Sequence, residues 1–204
     1  FMKIDLKKDL KHLYNASAKA PVFVDVPDMN FLMIDGTGGP TEDGPYGKAI
    51  EALYSISYAA KFHIKKDLGG VDYAVMPLEG LWWTDIPEEF SMTDRDPWKW
   101  TMMLMQPDWV TAEVQEVAFE RASKKLDRDL SSVYEHTLKE GHVVQIMHIG
   151  PYSDEPPVIQ GMHRFVDENG MKLRDKHHEI YLSDPRRAKP EKLKTILRHP
   201  VEPA

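Results

Sequence analysis

From Pro21 onward the chain alternates short apolar runs, closed by glycine or proline, with longer stretches in which apolar residues recur every three or four positions. Val22 to Val26 and Phe31 to Ile34 read as strands that end at Gly36, Gly38, Gly39 and Pro40. Gly44-Pro45 then opens a long helix. Its Ala49, Leu53, Ile56, Ala60 and Ile64 share one buried stripe, and Gly69-Gly70 stops it. Tyr73 to Trp83 is the next strand, with Pro77 and Gly80 pointing to an edge position or a bulge. An acidic surface loop fills residues 84–97. In the strand that follows, Trp98, Trp100, Met102 and Leu104 fall on one face.

A second helix runs from about Thr111, and the charged stretch Lys124 to Asp129 leads into a third helix ending near Gly141. The earlier order then returns. Val143 to Ile149 is a strand closed by Gly150-Pro151. A helix starting near Ser153 or Asp154 carries Val158, Met162, Phe165 and Val166 on its apolar side, with Pro156-Pro157 tolerated in its first turn. Glu179 to Leu182 and Thr195 to Arg198 are the last strands, before Pro200 and Pro203 end regularity. The pattern predicts an α+β fold: residues 2–204 form a single domain of duplicated strand-helix-strand-strand units, about 22–105 and about 142–199, separated by a helical insert at 106–141. Residues 3–19, with Lys3, Lys7, Lys8, Lys11 and Lys19, read as a docking arm. Phe1 is set aside as a remnant ahead of the natural start.

Composition narrows the chemistry. The formal net charge is −7, so the basic surface of a nucleic-acid binder is missing. There is no cysteine, which removes disulfides, thiolate nucleophiles and thiolate metal sites together. No apolar run approaches the roughly 18 residues a bilayer span needs, and no signal-peptide pattern is present, so the expectation is a cytoplasmic protein without membrane contact. Nine histidines occur, but none in a metal-ligand spacing such as H-E-x-x-H, so neither metal nor cofactor is expected. The Gly36–Pro40 turn has neither a Walker lysine nor a dinucleotide-binding spacing, and no Gly-x-Ser-x-Gly elbow occurs.

Several medium-length motifs, in order, carry a family resemblance. Pro77-Leu78-Glu79-Gly80-Leu81-Trp82-Trp83, Trp98-Lys99-Trp100-Thr101-Met102-Met103, Gln106-Pro107-Asp108, His148-Ile149-Gly150-Pro151-Tyr152 and His177-His178-Glu179-Ile180-Tyr181-Leu182-Ser183-Asp184-Pro185 together resemble the GyrI-like proteins. The resemblance spans nearly the whole chain and is strongest to a stand-alone subgroup. It implies antiparallel sheets of two repeats around a central ligand groove, in which rings stack on flat, often cationic ligands beside a buried glutamate. It also implies, for some members of the subgroup, hydrolysis of strained cyclopropanes in DNA-alkylating compounds.

The residues themselves give that groove its candidate chemistry. On a strand, Glu179 and Tyr181 project to one face and Ile180 to the other. A carboxylate there, partly desolvated, is expected to have a raised pKa and to serve as a general base or as the partner of a cationic ligand. The competing reading is a solvated strand glutamate beside His177 and His178. Tyr152, after the Gly-Pro turn, either donates to a developing oxyanion or simply caps the core. Trp82 and Trp83 should face opposite ways. Trp98, Trp100 and Met102 form either an aromatic platform for substrate or a covered core face, and Trp109 is a candidate rim residue. Glu79 is a second carboxylate, the pseudo-symmetric candidate partner of Glu179.

The resemblance, with these residues as its site, implies a cofactor-independent hydrolase of lipophilic, cyclopropane-bearing compounds acting as a monomer or homodimer, with Glu179, Tyr152 and Tyr181 as its catalytic set. The alternative is a non-catalytic multidrug-binding or sensing protein whose ligands include lipophilic cations. A third reading, an inhibitor of DNA gyrase, rests on the family name alone.

Overall fold

A computed structural model describes residues 3–86 and 93–204. The strands are β1 (Lys3–Ile4), β2 (Val22–Val26), β3 (Met29–Thr37), β4 (Asp72–Tyr73), β5 (Leu78–Trp83), β6 (Lys99–Met105), β7 (Tyr134–Leu138), β8 (Gly141–Ile149), β9 (Met171–Leu173), β10 (His177–Tyr181) and β11 (Lys194–Pro203). The helices are α1 (Leu6–Asp9), α2 (Lys11–Tyr14), α3 (Pro45–Phe62), α4 (Ala112–Leu126) and α5 (Glu155–Glu168). The fold is α+β with antiparallel sheet pairing, and its chain divides into two compact units.

The first unit holds residues up to Leu6, Met29–Leu78 and Trp83–Leu138. Its antiparallel ladder runs β6-β3-β7, and β1 pairs with β4 in parallel. Pro45 stands at the start of α3, where its missing N–H leaves no hydrogen bond unmade. The α3 stripe is buried as its spacing predicts, through Ala49, Leu53, Ile56 and Ala60, and the helix packs beside α4. At the head of α4, Thr111 Oγ1 accepts from Val114 N at 3.4 Å, and Asp127, in the left-handed conformation, ends the helix. No third helix follows. Residues 134–138 form the exposed edge strand β7 instead, because Asp129 and Ser131 close a turn that delivers an extended segment to the free side of β3. The expected strand over 73–83 is interrupted at 74–77, where Pro77 lacks a ladder donor. Part of the expected acidic loop, residues 87–92, lies outside the described residues.

The second unit holds Lys7–Asp28, Glu79–Trp82 of β5, and Lys139–Ala204. Its sheet runs β2-β8-β11-β10-β5, with β9 against the far end of β11. Thus β2 sits in this unit, paired with β8, although by sequence it opens the first repeat. β11 continues through Pro200 and ends only at Pro203: Pro200 lies opposite Val143, and its carbonyl accepts from Arg174 N at 2.9 Å. α5 covers one face of the sheet through Met162 and Val166, packed on Val144, Ile146, Leu197 and Val201. The basic arm is not a free docking segment. Leu13 and Tyr14 are buried, the Leu13 carbonyl accepts from Arg198 at 2.7 Å, and the His12 carbonyl accepts from Gln145 at 2.8 Å.

Candidate functional site

Strand alternation splits β10 into two chemical faces. His177, Glu179 and Tyr181 point one way, while His178 and Ile180 are buried on the other. The register Glu179↔Leu197 and Leu197↔Ile146 puts the Glu179 face on the side that carries α5.

On that side Glu179 is the hub. Its Oε1 lies 2.9 Å from His177 Nε2, and its Oε2 accepts the Tyr181 hydroxyl at 2.8 Å. Trp82 Nε1 in turn donates to the Tyr181 hydroxyl at 2.8 Å. Glu155, in the first turn of α5, adds a hydrogen bond from its carboxyl to that of Glu179. The side chain of Glu179 keeps 13% of its surface exposed, which leaves a ligand a way to reach it.

The two carboxyls are driven in opposite directions. Burial, the charge of Glu179 and the hydrogen bond to it push Glu155 up to about 10. Burial opposes ionisation of Glu179 as well, but the hydrogen bond and charge of His177, then Tyr181 and Glu155, outweigh it and hold this carboxyl below its usual range. This reverses the direction expected from desolvation alone. The carboxyl kept protonated is Glu155, and Glu179 is the ion.

The Gly150-Pro151-Tyr152 turn positions Glu155. Gly150 has φ +140°, a region that side chains avoid, and its N–H bonds the Leu193 carbonyl at 2.9 Å. From this turn Tyr152 meets the Tyr181 ring edge-on, centres 6.1 Å apart. Its hydroxyl makes no hydrogen bond among the described residues, and burial followed by the charges of Glu155, Glu179 and Asp184 pushes its pKa up to about 12.

The opposite face of the same sheet holds a second, fully buried network. His178 Nδ1 is 2.7 Å from Glu140 Oε1 and its Nε2 is 2.9 Å from Glu79 Oε1. The Tyr14 hydroxyl donates to Glu79 Oε2, and the Arg198 guanidinium stands 3.6 Å from Glu140 Oε2. Glu79 is therefore tied to His178 and Tyr14, on the other side of the sheet from the Glu179 carboxyl.

The candidate residues thus sort by location. Glu179, Tyr181, Tyr152 and Trp82 come together in the second unit. Trp83, Trp98, Trp100, Met102 and Trp109 belong to the first unit. There Trp98, Trp100 and Met102 are buried, Trp100 meets Tyr46 edge-on at 5.6 Å, and Trp109 meets Tyr73 edge-on at 5.6 Å. Among the described residues no cluster of three or more His, Cys, Asp or Glu has metal-binding geometry, and no helix is long and apolar enough to cross a membrane.

The family model of the GyrI-like small-molecule-binding domain matches residues 19–202. The chain belongs to the GyrI-like family. A structure of an uncharacterized conserved protein from Listeria innocua is 46% identical over 98% of this chain and 100% of its own, with a TM-score of 0.90. A hydrolase from Listeria innocua is likewise 46% identical over 98% of this chain and 100% of its own, with a TM-score of 0.88. The C-terminal domain of EcmrR shares the fold at 10% identity, covering 90% of this chain and 98% of its own with a TM-score of 0.56. No curated protein sequence matches the chain.

Two residues of this GyrI-like site escape a reading of the sequence. Glu155 sits in the first turn of a helix, where an acidic residue ordinarily just offsets the helix dipole. Its one signal is that it follows the Gly-Pro-Tyr turn by three positions. His177 reads as an exposed neighbour until strand alternation places it beside Glu179.

Proposed function

We propose that this GyrI-like protein hydrolyses lipophilic compounds carrying a strained cyclopropane, with Glu179 as general base and Glu155 as general acid. The observation that carries the reading is the carboxyl pair itself. One member is held ionised and the other protonated, in contact, beside two phenols and an indole. Environments that push two carboxyls apart are how one site supplies both an acid and a base. The 46% identity to a Listeria innocua hydrolase over the full length supports the same reaction class.

In a spirocyclopropyl dienone, water attacks the ring CH₂ and the strained C–C bond breaks. Its electron pair flows into the dienone, whose carbonyl oxygen becomes a phenol oxygen. Glu179 takes the proton of the attacking water, Glu155 gives its proton to the new oxygen, and the proton then crosses the hydrogen bond between the two carboxyls to restore the pair. Glu179 is a weak base, so the scheme relies on ring strain and on assistance at the oxygen that takes up the electron pair. The Tyr152 hydroxyl is the available donor there, since the Tyr181 proton is committed to Glu179.

A second reading has its own support. An ionised, partly exposed carboxylate ringed by Trp82, Tyr181 and Tyr152 suits capture of a flat cation without chemistry. Incubation with a duocarmycin-like cyclopropane compound, followed by product mass, separates the two. Turnover that falls about 10²–10⁴-fold in Glu179→Gln supports the hydrolase. Stoichiometric retention without product leaves capture.

The element order β3-α3-β5-β6 and β8-α5-β10-β11 further supports two copies of one strand-helix-strand-strand unit. Superposition of an experimental structure's two halves about a pseudo-twofold axis tests it, and unlike halves would end it.

A further inference from the structure

His177 is the near end of a row of imidazoles. From β11, the ring of His199 lies 6.1 Å from that of His177, centre to centre. From α5, His163 meets His199 edge-on at 6.0 Å. The row ends against the carboxyl pair through the 2.9 Å contact between His177 and Glu179. His199 is 9% exposed, and its N–H bonds the Arg174 backbone carbonyl. Its Nδ1 therefore holds the lone pair, and that atom has no hydrogen-bond partner among the described residues; neither has His163 Nε2. Of the three rings, His177 is the one hydrogen-bonded to a carboxylate.

We propose that His177 is a positioning residue: its hydrogen bond to Glu179 makes Glu179 the base and leaves the shared proton on Glu155. The proposal rests on the acid and base roles given above and explains what assigns them. Two carboxyls in hydrogen-bonding contact hold one proton between them, and without an outside bias either could carry it. His177 touches Glu179, so its hydrogen bond supplies the bias.

The neighbouring groups agree in direction. Burial, then the charges of His177 and His163, push His199 down to about 3, against the pull of the Arg174 carbonyl and of Glu140. Burial and His177 also lower His163, against Asp167. Glu155 from α5, Tyr181 from β10 and Tyr152 from the turn before α5 are the other titratable groups around Glu179, with Asp184 beyond Tyr152.

NMR titration of the intact protein tests this without any substrate, by following the Glu155 and Glu179 carboxyl carbons and the imidazole nitrogens. In the parent, Glu179 should be ionised and Glu155 protonated at neutral pH. In His177→Phe, which keeps a ring but makes no hydrogen bond, the Glu179 midpoint should rise by at least one unit, a tenfold change in its acid constant. The His199 and His163 midpoints should rise as well. His177→Gln, which can still donate to Glu179, should hold the Glu179 midpoint nearer the parent value. A parent in which Glu179 rather than Glu155 carries the proton at neutral pH overturns the proposal even if both variants fail to fold; so do unmoved carboxyl midpoints in a folded phenylalanine variant. If the protein turns over a cyclopropane compound, the acid limb of kcat/KM should move up in His177→Phe with KM unchanged. If it turns over none, the hydrolase reading fails while the titrations still decide the role of His177.

Discussion

Tyr14 donates its hydroxyl proton to Glu79 Oε2 over 2.9 Å, joining α2 to a strand 65 positions later. The bond lies beside the His178 imidazole, where no solvent reaches the carboxylate. Tyr14→Phe keeps the ring and removes the donor, leaving a buried carboxylate oxygen unpaired. The expected loss is about 1–3 kcal/mol. It should appear as a lower urea midpoint with an unchanged m-value. An unshifted midpoint would mean that the contact contributes nothing to stability.

His178 gives stability a defined alkaline slope. Burial alone would lower its pKa, but the charge and hydrogen bond of Glu140, then Glu79, push it up to about 9 from 6.5. A histidine raised in the folded state contributes fully below its unfolded pKa and loses that contribution as pH rises through the folded one. Stability should therefore fall between about pH 6.5 and 9. Glu155 adds to the fall, since a carboxyl raised to about 10 makes folding less favourable as pH climbs from 4.5. His178→Gln should be less stable at neutral pH but show a shallower slope in urea titrations across this window. An equal slope would place the charge elsewhere.

Glu155→Gln separates the proposed acid from its hydrogen bond. The amide still donates to Glu179 but has no proton to give to the developing phenol oxygen. Turnover of a cyclopropane substrate should fall about 10²–10⁴-fold, with binding changed less than tenfold. In the parent, kcat/KM should decline as pH rises toward 10, where Glu155 ionises, and the variant should lack that limb. Parent-like turnover in the variant would assign the acid to another group, with Tyr152 the next to test.

Gly36 is closed to side chains by the Trp100 ring. A Cβ there would lie 2.1 Å from ring atom Cζ2 of Trp100, which is itself almost wholly buried. Gly36→Ala should destabilise the protein by about 1–3 kcal/mol through overpacking. A lowered thermal midpoint checks it, and Trp100→Phe in the same chain should recover part of the loss by shrinking the ring. If the alanine variant melts as the parent does, the ring moves aside freely.

What the sequence disclosed followed periodicity. The α3 stripe and the two faces of β10 are local patterns, readable because helix and strand repeats fix which residues share a side. β7 was misread because Tyr134–Leu138 has no apolar alternation to mark a strand; pairing with β3 decides it. The site was half legible. Glu179, Tyr181 and Trp82 carry the signal of a motif, but the partners that set the protonation of Glu179 come from other elements. His178 shows the same limit, since Glu140 and Glu79 lie 38 and 99 positions away and no local pattern announces them. The pKa direction at Glu179 was reversed for that reason: desolvation can be guessed from a strand face, whereas a hydrogen-bonded imidazole cannot.

The ties from Arg198 to the Leu13 carbonyl and from Gln145 to the His12 carbonyl also bear on the order in which the chain is made. A ribosome delivers residues 7–28 long before the strands they pack against, β8 and β11. The first unit can assemble during translation, since its segments are complete by Leu138, whereas the early segment of the second must wait, its apolar Leu13 and Val26 uncovered, until Arg198 has cleared the exit tunnel. Limited proteolysis of stalled nascent chains should find residues 7–28 cleavable until β11 is out, and protected soon afterwards.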